Sequence, residues 1–300
     1  MKTEERKKYR NRNLLMIVLL VFFAAVFAFS LFKLIGILRE YNQGKDIYSD
    51  IRDNYMAPEN LVPRPTKARE PEESREGETL VPGVPVVDPD YAAYEHETKL
   101  DFLHTDFDYI LVPMYLPDLG KLTALNPEVK GWITIDGTHI DYPLVQGEDN
   151  EKYLRTAVNG ERNNAGSVFI DFHIQNPFFD RNTIIHGHNQ RNGQMFHDLV
   201  RYSNPAFLSE HPYVKVFLTD GRMLLYRIYS AYVMTDTHTY QYGFSSDESY
   251  RNYLDYTVQS SAYDTGIVPE TWQSILTLST CTNEADEERY VIHGVLVEIQ

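Results

Sequence analysis

Nineteen consecutive residues, Leu14–Phe32, carry a single polar side chain, Ser30, and that run constrains the rest of the chain. As an α-helix it would rise about 28 Å, close to the roughly 30 Å hydrocarbon thickness of a bilayer. It exceeds the roughly 7–15 apolar residues of a signal peptide and continues past the small-residue site Val26-Phe27-Ala28. An uncleaved anchor is therefore expected rather than a cleaved leader. Residues 1–13 hold six basic and two acidic side chains, a local +4 in a chain of formal net charge -15. The positive-inside bias keeps Lys2, Arg6, Lys7, Lys8, Arg10 and Arg12 in the cytoplasm and places the C-terminal bulk outside, as a single-pass protein of the cell membrane. The remaining -19 argues against a chain-wide nucleic-acid footprint. The one cysteine, Cys281, excludes an intramolecular disulfide scaffold and a cysteine-rich zinc module.

Beyond the anchor the chain divides by composition. Residues 1–13 read as a cytoplasmic basic tip, 14–38 as the transmembrane anchor, 39–112 as a juxtamembrane segment and spacer, and 113–300 as an extracytoplasmic catalytic domain. Arg39–Tyr55 is polar, with Tyr41, Ile47, Tyr48 and Ile51 loosely spaced, and extends the helix. Pro58–Pro89 contains seven of the fifteen prolines. Such composition favours extended chain, expected here to hold the domain off the membrane. From about Pro113 the pattern turns globular. Gly131–Ile135, an Asp136-Gly137 turn and Ile140–Val145 predict a hairpin. Gly166–Ile170, Thr183–His186, Tyr213–Leu218, Met223–Val233, Ser274–Ser279 and Arg289–Glu298 predict further strands, with a second tight turn at Asp220-Gly221. One amphipathic helix is expected over Asp247–Ser261, opened by a capping box Ser245-x-x-Glu248. A short helical stretch is expected around Met195–Tyr202. Eight short strands with few helices point to a mainly β barrel or sandwich.

Chemistry concentrates at strand ends. Cys281 follows the apolar run Ile275–Thr280, at the rim of whatever barrel forms. It is read either as a buried structural thiol, since free cysteine packs like a small hydrophobe, or as a nucleophile. A nucleophile needs a proton partner and a cation, because the thiolate is the reactive form. His186 and His188 end another strand, and Arg289 opens the terminal one. If the strands of Cys281 and Arg289 are neighbours, the seven-residue loop between them returns the guanidinium beside the thiol. The plainer reading of Arg289 is a surface charge offsetting Asp286, Glu287 and Glu288. No metal site is expected, because nothing at standard spacing completes a zinc set around His186 and His188. No cofactor is implied.

Thr277-Leu278-Ser279-Thr280-Cys281, with Arg289 downstream and Gly187-His188-Asn189 upstream, closely resembles the sortases, specifically class B. Leu125–Val145 and the passage from Gly187 into Met195-Phe196 resemble that family too, in the family's order, as does Thr235–Ser261 in the position of its helix-bearing loop. The resemblance implies an eight-stranded sortase-type β-barrel and a cysteine transpeptidase acting on the surface of a Gram-positive-type cell. Its residues would be Cys281 as nucleophile, His188 as acid/base and Arg289 as stabiliser of substrate and oxyanion. Ser279, Thr280 and Asn189 are candidate substrate-binding positions. His186 departs from the pattern, since tyrosine is frequent there in class B. The implied reaction cleaves a C-terminal sorting motif after Thr in exported proteins, passes through a thioester, and transfers the acyl group to an amine of a cell-wall precursor or a pilin. The rival readings are another extracytoplasmic cysteine peptidase and a non-catalytic membrane-anchored β-barrel scaffold. A papain-like enzyme would have its catalytic His after its Cys, whereas here the candidate His precedes it.

Overall fold

A computed structural model describes residues 2–58, 115–234, 238–281 and 288–300; the side chains of 2–14, 57, 58, 115 and 281 lie outside that description. The chain opens with α1 (Lys2–Tyr55), followed by β1 (Met56–Pro58) and β2 (Tyr115–Pro117). Then come α2 (Leu119–Leu125), β3 (Val129–Thr134), β4 (Asp141–Val145), β5 (Val168–Ile170) and β6 (Asn182–His186). The rest is α3 (Pro205–Glu210), β7 (Tyr213–Leu218), β8 (Met223–Met234), α4 (Asp247–Ser260), β9 (Ile275–Cys281) and β10 (Arg289–Ile299). Short 3-10 turns cover Lys152–Leu154 and His197–Ser203, the latter in place of the expected helical stretch.

Eight strands close into a barrel in the order β10-β8-β7-β3-β4-β5-β6-β9, with β9 returning to β10. Two seams, β4–β5 and β6–β9, are parallel and the others antiparallel. Local chemistry explains the strands. β7 alternates exposed or half-buried with buried residues, as one face of a barrel wall requires. β8 is buried at nearly every position because α4 covers its outer face. At Gly131 a Cβ would stand 2.4 Å from the Phe217 carbonyl oxygen, so only glycine allows β3 to approach β7 there. The expected hairpin forms, with Gly137 at a positive φ of 76° in its turn. The capping box of α4 sits one residue later than the sequence suggests. Ser246 accepts from the Ser249 amide and Ser249 Oγ accepts from the Ser246 amide, both at 3.1 Å. The serine at the third helical position does the work expected of Glu248.

α1 is long and apolar enough to cross a membrane, and it continues unbroken into the barrel domain. Ile47, Tyr48 and Ile51 fall on one face and are buried in the main core, worth about 1.5–3 kcal/mol each in apolar transfer. Tyr48 donates to the Gly166 carbonyl at 2.5 Å, and Arg52 pairs with Asp141 at 3.0 Å. The stretch 39–55, expected to be a juxtamembrane connection, is thus partly a component of the barrel domain. The Pro-rich spacer Pro58–Pro89 falls outside the described residues apart from Pro58. Pro58 pairs with Tyr115 across β1–β2, so the intervening chain leaves from and returns to one point. Helix α1 runs without a break from the apolar stretch to Tyr55.

Candidate active site

The β6–β9–β10 corner builds the site. In the parallel β6–β9 seam His186 is level with Ser279, and the Gly187 amide extends the ladder by donating to the Ser279 carbonyl at 3.1 Å. Across β9–β10 Cys281 and Arg289 are direct partners, the last and first residues of their strands. The neighbourhood expected for thiol and guanidinium therefore holds at the level of backbone register.

Gly187 is required where it stands. A Cβ there would lie 2.7 Å from the Phe196 ring, so the chain passes over that ring only without a side chain. Past it, the His188 carbonyl accepts from the Phe196 amide at 2.9 Å, and Asn189 bridges to Met195. These bonds fix a tight excursion that delivers His188 to the cleft. His188 Nε2 lies 2.8 Å from the Leu154 carbonyl. Because that oxygen only accepts, Nε2 carries the proton, and Nδ1 is the nitrogen left to exchange one.

One cleft of about 280 Å³ joins these residues: His186, Gly187 and His188 on one side, Ser279, Thr280 and Arg289 on another, and Leu154, Phe169, Tyr240 and Tyr242 as walls. Arg289 donates from Nη1 to the Glu288 carbonyl at 3.0 Å. Ser279 is buried and shares a 2.6 Å hydrogen bond with Tyr240. Thr280 Oγ1 is buried with no hydrogen-bond partner among the described residues. Asn189 is not among the lining residues. Its amide oxygen lies 2.8 Å from His197 Nδ1, a contact within the loop that carries His188.

The sequence reading omitted Asn150, Leu154, Asp171, Tyr240 and Tyr242, all of which line the cleft. Asp171 has the most connections. It is 1% exposed, and its carboxylate receives His186 Nε2 and Asn150 Nδ2 at 2.9 Å on one oxygen and His173 Nδ1 at 2.8 Å on the other. Burial by itself would raise its pKa. The hydrogen bonds from His186 and His173 outweigh that and hold it well below the usual carboxylate range. Tyr242 is pushed up to about 12 by burial and by the charge of Asp171. The only local signal for Asp171 is a charged residue directly after the apolar strand Val168–Ile170. Among the described residues no group of three or more His, Cys, Asp or Glu is arranged to hold a metal. The imidazoles of His173 and His186 share one carboxylate rather than facing a common point.

A family model described as the Sortase domain matches residues 133–297. Sortase B of Listeria monocytogenes is 38% identical over 184 residues, covering 60% of this chain and 74% of that protein. The crystal structure of Clostridium perfringens sortase B superposes with a TM-score of 0.56 at 31% identity, covering 60% of this chain and all of that one. The Staphylococcus aureus sortase B–substrate complex gives 0.56 at 29%, over 60% of this chain and 85% of that one.

Proposed function

The chain belongs to the sortase family, a family of cysteine transpeptidases, and from that premise we propose that its substrate is a C-terminal sorting motif cleaved after Thr in an exported protein. The observation that carries this reading is one corner of the barrel. Cys281 and Arg289 are backbone partners, and Arg289 lines the same cleft as His188.

The Cys281 thiolate attacks the carbonyl carbon of the Thr at the scissile bond. Arg289 supports the developing oxyanion, a task suited to a group that stays protonated across the working pH range. As the C–N bond breaks, the His188 imidazolium gives the leaving amine the Nδ1 proton it took from the Cys281 thiol, and the acyl group remains on sulfur as a thioester. An amine from a cell-wall precursor or a pilin then attacks the thioester and loses a proton to His188, and the thiolate departs. Water competes for the same thioester, so a narrow cleft favours transfer over hydrolysis. The complex of the Staphylococcus aureus relative with its substrate supports a peptide in the corresponding cleft. The apolar span of α1 supports a single-pass anchor with the basic N-terminus cytoplasmic and the barrel extracytoplasmic.

The test is cleavage of a peptide library by the full chain in detergent, with mass spectrometry of products formed in added amines. Cys281→Ala should abolish cleavage and transfer. Arg289→Lys should lose at least about 100-fold in kcat/KM, because a point charge does not reproduce the planar fork. His188→Ala should fall further than His186→Ala, and the opposite order would refute the assignment.

A further inference from the structure

Three of the cleft-lining side chains belong to segments far apart in sequence, and all three end on the same carboxylate. Asn150 comes from the loop after β4, His186 from the end of β6, and Tyr242 from the connection between β8 and α4. On one Asp171 oxygen they converge at 2.9, 2.9 and 3.4 Å. The other oxygen is filled by the backbone amide of His173 at 3.0 Å and its Nδ1 at 2.8 Å. A carboxylate only accepts, so each of these groups donates, and both imidazole tautomers are fixed: proton on Nε2 in His186 and on Nδ1 in His173. The second wall of the cleft is tied down alongside. The Tyr240 ring meets His186 edge-on at 5.4 Å, and its hydroxyl bonds Ser279.

We propose that Asp171 is a positioning residue for the transpeptidation reaction. By ordering His186, Asn150 and Tyr242 it shapes the wall against which the peptide lies, away from the bond that breaks. The inference rests on the proposed Cys281–His188–Arg289 site. Among the described residues the Asp171 carboxylate takes its hydrogen bonds from Asn150, His173, His186 and Tyr242, and His188 and Arg289 are not among those partners. Its loss therefore acts on peptide binding and leaves the reactivity of the thiol alone.

Asparagine is nearly the same shape and cannot substitute. Whichever way the amide is turned, its NH2 meets a donor that no change of tautomer removes: the His173 backbone amide on one side, or Asn150 Nδ2 on the other, fixed because Asn150 Oδ1 accepts from the Phe172 amide at 3.0 Å. One side of the hub must open.

The experiment measures, on the full chain in detergent, steady-state cleavage of one peptide selected from the library and the rate of iodoacetamide capture by Cys281, the only thiol present. Asp171→Asn should raise KM by at least about 10-fold, change kcat by less than about 3-fold, and leave alkylation within about 2-fold of native. The double variant Asp171→Asn/His186→Asn should lie within about 3-fold of Asp171→Asn in kcat/KM, because the second residue acts through the first. A KM within 3-fold of native, or single losses that multiply in the double variant, would overturn the proposal. If Asp171→Asn lowers Tm by more than about 10 °C, His186→Asn and Asn150→Ala carry the test: each should raise KM by about 3- to 10-fold with alkylation unchanged, and an unaltered KM in both overturns it. A native chain that cleaves no peptide overturns the functional reading along with this one. A native chain that cleaves, with KM unmoved in the variants, overturns the hub alone.

Discussion

Acidification should destabilise this barrel through one histidine inside it. His293 on β10 is fully buried. Its Nδ1 lies 3.0 Å from Thr277 Oγ1, whose own hydrogen goes to Asn182 at 2.8 Å, so Nδ1 is the donor of that pair. Its Nε2 then accepts from the Tyr232 hydroxyl at 3.1 Å. Both nitrogens are satisfied in the neutral ring, and protonation would put a second proton between Nε2 and a hydroxyl already donating to it. Burial pushes the group down to about 3 from an ordinary 6.5. With the folded pKa below the unfolded one, the unfolded chain takes the proton first. The stability is complete above about pH 6.5 and is lost as pH falls toward 3. Inside that window each pH unit costs on the order of 1 kcal/mol, so from pH 6 to pH 4 the loss is on the order of a few kcal/mol, a large share of a typical domain's stability. The assay is urea unfolding of the full chain in detergent at pH 7, 6, 5 and 4. It is followed by near-UV circular dichroism, which reports buried aromatics such as Trp132 rather than the helix in the micelle. His293→Gln should start less stable, by about 1–3 kcal/mol for imperfectly paired Thr277 and Tyr232. It should also be flatter with pH than native, by on the order of 1 kcal/mol per unit. Everything but residue 293 is common to the two proteins and cancels in the difference. Equal slopes would refute the argument.

Two further outcomes follow from packing. Gly187→Ala drives a Cβ into the Phe196 ring and should displace the His188 excursion, lowering kcat/KM by at least about 10-fold with a fall in stability of about 1–3 kcal/mol. Phe196→Leu in the same chain should restore part of the activity, and a single variant with native kinetics would show the turn to be compliant. Ile51→Asp puts a charge against the core where α1 docks and should make the region after Leu38 sensitive to protease, whereas Tyr48→Phe should cost only about 1 kcal/mol in denaturant unfolding. Unchanged proteolysis in Ile51→Asp would mean that the docked face contributes little.

How much of this was legible in the chain varies with the range of the interaction. The apolar run at Leu14–Phe32 and all eight barrel strands were readable, because a long apolar run and short apolar segments bounded by turn residues are local consequences of burial. The ordered segments around Gly187-His188-Asn189 and Thr277–Cys281 marked the family, and the tight turns at Gly137 and Gly221 follow from backbone freedom. The docking of α1 was not legible, since Ile47, Tyr48 and Ile51 are sparse apolar residues in a polar segment. Their partners Gly166 and Ser167 lie over a hundred residues on. The capping box was read one residue early because Ser245 and Ser246 compete for one role and only the helix start decides between them.

The sequence by itself determined the class of the molecule: a helix long and apolar enough to cross a membrane, a strand-rich domain and a cysteine, a histidine and an arginine at strand ends. Only the tertiary structure decided that Ile47, Tyr48 and Ile51 of α1 are buried in the barrel core, and that Asn150, His173, His186 and Tyr242 meet on the Asp171 carboxylate. The physical reason is barrel closure. The parallel seams β4–β5 and β6–β9 bring strand ends from distant segments to one corner. A buried carboxylate persists there because donors from that many segments reach it at once, and no local pattern records their meeting.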